Sequence, residues 1–172
     1  MVPDRQTDLL LSNASAGGTV TIAGIGAFTT TGGVISGSNV QIAAGGDLSV
    51  NVSGSSVSLL SLGNDSSTAS ATQSLQIQAQ GTLGGDYSSG GTLQLASWTG
   101  INSSTTATAA NITQVWSIGP IAGSFTGTQN IGSIQSYSSI DATINAGNNQ
   151  TGLPSNEGNI SSVQGWGTIS LH

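Results

Sequence analysis

The sequence predicts an all-β fold, a solenoid of about eight coils of 17–20 residues, and three observations carry that expectation. First, one unit is spelled out three times. Asn111-Ile112-Thr113-Gln114-Val115-Trp116-Ser117-Ile118 returns 19 residues on as Asn130-Ile131-Gly132-Ser133-Ile134-Gln135-Ser136-Tyr137. It returns again as Asn159-Ile160-Ser161-Ser162-Val163-Gln164-Gly165-Trp166. Second, its central apolar residue has counterparts along the chain: Ile22, Ile42, Leu59, Ile77, Leu95, Val115, Ile134 and Val163, in steps of 20, 17, 18, 18, 20, 19 and 29. Third, apolar residues pair at i, i+2 with polar neighbours (Val20/Ile22, Val40/Ile42, Val57/Leu59, Leu75/Ile77, Leu93/Leu95), the period of a strand with one buried face. A unit this short cannot enclose its apolar side alone, so copies must stack, and stacked strand units make a solenoid.

Residues 1–18 match no repeat. They carry Pro3, Arg5, Asp4, Asp8 and the Leu9–Leu11 triplet, and are expected to act as a cap or lead-in over the edge of the first coil. Repeats then fill 19–172. From Ile112 onward the apolar pair widens to i, i+3 (Ile112/Val115, Ile131/Ile134, Ile160/Val163), which predicts one extra residue in the strand, as at a bulge. The 29-residue step holds an insertion near Gly147–Asn156, expected to be a loop on one face of the stack. Gly and Asn punctuate the strands where tight corners need them. The chain stops inside a coil, so it is expected to be an excised piece of a longer repeat array.

Two further rows follow from the anchors. Six residues past each stand Phe28, Leu48, Asp65, Leu83, Ile101, Ile121, Ile140 and Ile169, a second inward row broken only by Asp65. Three past stand Ile25, Gly45, Leu62, Gln80, Trp98, Ile118, Tyr137 and Trp166. Because this row contains Ile25 and Leu62, it is expected to face inward as a core ladder. Facing outward, its rings would form a strip able to stack on sugars. Trp116, one past its anchor, is expected to point outward and is the better contact candidate. Trp116, Trp98, Tyr137 and Trp166 are therefore the ligand-contact candidates.

Composition narrows the function classes. Charged residues make up 5% of the chain, Lys is absent, and the net charge is -6, so no electrostatic footprint exists for nucleic acid or an anionic membrane face. No cysteine is present, and the longest apolar run near the start, Leu9–Leu11, is far too short for a membrane span. Ser and Thr supply 49 residues and Gly 26, a composition common in flexible chains. Mean hydropathy is nevertheless +0.10, with Ile, Leu and Val recurring in register, which favours order.

Acid–base catalysis needs titratable groups gathered in one cleft. The acids here are Asp4, Asp8, Asp47, Asp65, Asp86, Asp141 and Glu157, while Arg5 and His172 stand at opposite ends of the sequence. No catalytic residue, enzyme activity or cofactor is expected. Gly45-Gly46-Asp47, Gly63-Asn64-Asp65 and Gly84-Gly85-Asp86 could share a calcium ion if stacked, but the acids sit 5, 6 and 9 residues past their anchors. Turn chemistry is the expected reading, with no metal. The Thr29–Thr31 and Thr105–Thr108 stretches raise an ice-binding array, yet their offsets from the anchors differ and no matching series is expected.

Asn39-Val40-Gln41-Ile42-Ala43-Ala44-Gly45-Gly46-Asp47-Leu48-Ser49-Val50-Asn51-Val52 resembles the repeats of filamentous-haemagglutinin-type adhesins. The later Asn-Ile-x-Ser-(Ile/Val)-Gln-x-(Trp/Tyr) copies are similar to those of large Gly/Ser-rich bacterial surface proteins with β-helical repeats. The resemblance implies a right-handed parallel β-helix on an exported, extracellular or cell-surface protein. It implies no catalytic residue and leaves the export route open. The expected function is a structural or adhesive rod, a spacer segment of such a protein. The alternative is a carbohydrate-binding or carbohydrate-active β-helix domain. Expected partners are neighbouring repeats of the same protein, a surface glycan, and a second copy docking through the C-terminal coil. Nucleic-acid binding and membrane insertion by this segment are not expected.

Overall fold

A computed structural model describes residues 9–11, 14–147 and 158–172, which form an all-β parallel solenoid of about seven turns. All strand pairings among the described residues are parallel. Each full coil has three sides. Side A carries the anchors and begins as Thr19–Gly24. Side B is short, with Phe28–Thr30, Leu48–Ser49, Thr82–Leu83 and Gly100–Ile101 among its strands. Side C runs on into the next side A within continuous strands such as Ile35–Ala44, Thr68–Ala79 and Thr106–Ser117.

The anchor column forms as the repeat spacing predicts. Ile22 pairs with Ile42, Ile42 with Leu59, Leu59 with Ile77, Ile77 with Leu95, Leu95 with Val115, Val115 with Ile134, and Ile134 with Val163. Ile42 through Ile134 are buried, and only the end members Ile22 and Val163 are partly open. The column six residues on also forms, from Phe28 through Leu48, Asp65, Leu83, Ile101, Ile121 and Ile140 to Ile169. Side C supplies a third interior column: Ile35, Val52, Ala69, Tyr87, Ala107, Phe125 and Ile144. Tyr87 lies between two alanines, so the largest side chain in this column has the smallest neighbours.

The bulge is where the widened pair places it. Leu93 pairs with Ile112 but Gln94 pairs with Gln114, so Thr113 is the extra residue. Gly132 and Ser161 take its place in the next two coils, which makes the last three coils a distinct sub-type. Within the expected lead-in, Leu9–Leu11 pairs in parallel with Phe28–Thr30, and Ala14–Ser15 with Ile35–Ser36. These two short strands continue sides B and C by one level, with Leu9 entering the register of Phe28, while among the described residues Thr19–Gly24 on side A pairs only with Ile35–Ala44. Apart from Gly147, the expected insertion lies outside the described residues.

The corner from side A to side B decides what faces solvent. Two residues past the anchors the column is small: Ala44, Ser61, Ala79, Ser97, Ser117 and Ser136, all buried. The hydroxyls of Ser61, Ser97 and Ser136 bind the turns around them, while Ser117 Oγ is buried without a partner. Ser97 Oγ lies 2.7 Å from the Gly81 carbonyl oxygen and 2.8 Å from that of Gly100. Ser136 Oγ donates to the Gly119 carbonyl at 2.8 Å and accepts from the Ser138 amide at 2.9 Å. Strand alternation therefore persists to this second position, and the third must point outward.

Candidate functional site

The third-position row faces solvent, which corrects the expectation of an inward core ladder. Trp98 is 46% exposed, Ile118 45%, Tyr137 56% and Trp166 68%, and Ile25 and Leu62 in earlier coils are exposed as well. The backbone amides of Trp98, Ile118, Tyr137 and Trp166 donate to Ala79, Ser97, Ser117 and Ser136 carbonyls at 3.1–3.2 Å. These bonds extend the side A ladder by one residue and hold the four side chains in line. Trp116 points outward from side A, as expected, and is half-buried by its neighbours.

The rings touch in sequence. Trp98 and Trp116 have centroids 5.5 Å apart with planes at 78°, and Trp116 and Tyr137 are 6.4 Å apart at 78°. Tyr137 and Trp166 are stacked at 4.6 Å and 7°. All four candidate residues thus belong to one surface strip, favourable as edge-to-face and stacked pairs.

Two more columns share this outer face, one of them polar throughout and the other mixed. One is Gln94, Gln114, Ser133 and Ser162, and the other is Ala96, Trp116, Gln135 and Gln164. Gln135 Nε2 donates to Gln164 Oε1 at 3.4 Å. With Trp98, Ile118, Tyr137 and Trp166 they make a face of four coils by three positions, every side chain of which is uncharged. It offers ring surface, amide donors and acceptors, and hydroxyls.

The acids do not gather. Asp47 is exposed and its Oδ1 accepts from the Asn64 amide at 2.7 Å; Asp86 is exposed and accepts from the Thr106 hydroxyl. Both are turn or strand-edge residues, and among the described residues no three His, Cys, Asp or Glu side chains come together as a metal site. Asp65 also closes a turn, but it lies inside the solenoid at 1% exposure, stacked between Leu48 and Leu83. Its Oδ1 accepts from the Ser67 amide at 2.8 Å and from the Tyr87 hydroxyl at 3.2 Å. Oδ2 has no partner. Desolvation pushes the Asp65 carboxyl above the ordinary carboxylate range, although the Ser67 and Tyr87 hydrogen bonds pull the other way. Desolvation and the neighbouring carboxylate push the Tyr87 hydroxyl up too.

Sequence distance hid two arrangements. Asp141 and His172, far apart in the chain, meet on the last coils with Asp141 Oδ1 3.0 Å from His172 Nε2. Ser170 Oγ is 3.2 Å from that same ring nitrogen. A nucleophile–base–acid relay uses both ring nitrogens, one for the hydroxyl and one for the acid, so this exposed cluster is not such a relay. On side C, the Thr105–Thr108 stretch does enter matching series. Ser15, Ser36, Ser53, Ser70, Ser88, Thr108 and Thr126 stack in one outward column, and Thr68, Asp86, Thr106, Ser124 and Thr143 in another. Their mixed lengths and the Asp86 charge make a hydrated polar face and not a uniform threonine lattice. Counting from side C, where Thr106-Ala107-Thr108 repeats as Ser124-Phe125-Thr126, reveals the series.

No family model matches this chain, and no curated protein or solved structure matches it either.

Proposed function

We propose that this chain is a structural or adhesive rod, a spacer segment of a large secreted or cell-surface bacterial protein. The observation that carries this reading is the unbroken anchor column from Ile22 to Val163, paired coil to coil. Each coil gives the next the same backbone ladder and the same apolar contact, so length and stiffness come from repetition. One coil adds about 4.8 Å. The Gln, Ser and Thr exterior with few charges limits nonspecific ionic contacts. The resemblance of Asn39–Val52 to adhesin repeats supports placement outside the cell.

Spin labels at Gln41 and Ser162, six coil pairings apart in one outward column, test the rod. A single narrow distance of about 29 Å is expected from the inter-strand spacing. A broad distribution overturns the reading. An antibody against the segment should label intact cells of the producing organism, and labelling only after permeabilisation removes the surface assignment. A separate observation, the exposed rings of Trp98, Trp116, Tyr137 and Trp166, favours a carbohydrate-binding role carried on the same rod.

A further inference from the structure

We propose that the outer side A face of the last four coils binds a neutral polysaccharide, with the polymer laid along the solenoid axis. The inference deepens the carbohydrate-binding reading, and it uses the rod only as the straight backing of the strip.

Folding does not ask for rings at the third position. The same corner is filled by Gly45 in one coil and Gln80 in another, both within the continuous stack. Three rings, Trp98, Tyr137 and Trp166, and Ile118 nevertheless occupy it in four successive coils, each about half exposed or more. Leaving that much apolar ring surface exposed forgoes the stabilisation that burial would give. A contiguous exposed patch of this kind marks an interaction site.

The chemistry of the patch selects the ligand. Ring faces, which carry negative potential, attract the polarised C–H surfaces of sugar rings, and a primary amide can donate to one hydroxyl while accepting from the next. Gln94, Gln114, Gln135 and Gln164 set such amides alongside the rings. None of the twelve side chains on this face is ionisable at neutral pH, and the chain carries a net charge of -6. A polyanion would gain no ion pair there and would meet long-range repulsion. The face is open rather than enclosed, and the columns repeat at about 4.8 Å. A polymer laid along the axis can therefore contact ring and amide groups of several coils at once, whereas a small ligand would touch only one or two.

Native affinity electrophoresis tests this with hydroxyethyl cellulose, arabinoxylan and galactomannan as neutral probes and alginate as the anionic one. Retardation by at least one neutral polymer and none by alginate is expected. Trp98→Ala, Tyr137→Ala and Trp166→Ala should each weaken retardation about tenfold, as expected for a lost ring contact. Leu62→Ala, at the same corner but outside the strip, should leave it unchanged. Thermal midpoints serve as the folding check, since exposed side chains can be truncated at little cost. The proposal is overturned if no neutral polymer retards the chain, if alginate retards it equally, or if the ring variants behave as wild type. It is also overturned if the rings instead hold two copies together, seen as a wild-type dimer in sedimentation that the ring variants dissolve. A narrow Gln41–Ser162 distance with no polymer binding removes the ligand and keeps the rod; binding with a broad distance does the reverse.

Discussion

The Tyr87 hydroxyl lies 3.2 Å from Asp65 Oδ1 in the interior of the coil stack, with both residues closed to solvent. Asp65 stands where Leu48 and Leu83 stand in the adjoining coils, and Tyr87 reaches it because Ala69 and Ala107 clear the space on either side. Burial withdraws the water that would solvate a carboxylate here, and this raises the Asp65 pKa.

The sign of the pH dependence follows. Because the folded-state pKa of Asp65 is raised, the folded chain binds more protons than the unfolded chain above the unfolded value of about 3.9. Its favourable contribution is complete below about pH 4 and is lost as pH rises through the folded-state pKa, at about 1.4 kcal/mol per pH unit between the two. Asp65→Leu combined with Tyr87→Phe should abolish this slope and stabilise the fold at pH 7 by about 2 kcal/mol. Denaturant melts of both proteins at pH 4 and pH 7 measure it, and a difference between the proteins that is independent of pH refutes it.

Ile77 is fully buried at the middle of the anchor column, between Leu59 and Leu95. Ile77→Ala should cost about 2–5 kcal/mol through lost transfer energy and the cavity left behind. Ile77→Asp should cost at least as much, since it buries a charge with no partner. Gln78→Ala on the outward side is expected to change stability by about 0.5 kcal/mol or less. Equal melting of the Ile77 and Gln78 variants would contradict the register.

Close stacking of the corners makes a further contrast. A Cβ added at Gly119 would collide with the Thr99 carbonyl oxygen, a backbone atom that cannot step aside, whereas one added at Gly17 meets open space. Gly119→Ala should lower stability by about 2 kcal/mol or more, and Gly17→Ala should be nearly silent. Thermal denaturation of the two single variants decides between them.

At the C-terminal end of the described stack, Ile160, Ile169 and Leu171 are exposed, because no further coil lies against Asn159–Gly165 or Ile169–Leu171 among the described residues. Such an edge is a template for another strand. The chain should therefore associate with increasing concentration through this end, and Ile169→Lys should suppress the association. Sedimentation over a hundredfold range of concentration checks this; a wild-type chain that stays monomeric throughout would contradict it.

The sequence by itself determined the solenoid, its period, the anchor column and the bulged last coils. Those features depend on which residue types recur, and a buried strand position selects Ile, Leu or Val wherever it falls. The bulge was readable because Ile112/Val115 and its two copies shift the pattern by one residue. The orientation of Trp98, Tyr137 and Trp166 was not readable from the company of Ile25 and Leu62, since an exposed corner holds aliphatic residues as well as a core does. Its signal was the row of small residues two past the anchors, Ser97, Ser117 and Ser136, which carries strand alternation around to an outward third position. Asp65 was legible as the polar break in the row of Leu48 and Leu83, but its bond to Tyr87 was not, because Tyr87 comes from side C of the next coil. The side C columns stayed hidden because the turns differ in length. Ile35 lies 13 residues past its anchor and Val52 only 10 past its own, yet the two pair. Backbone hydrogen bonding between coils aligns strands while turns absorb the difference, so on side C the tertiary structure alone decided which side chains share a face.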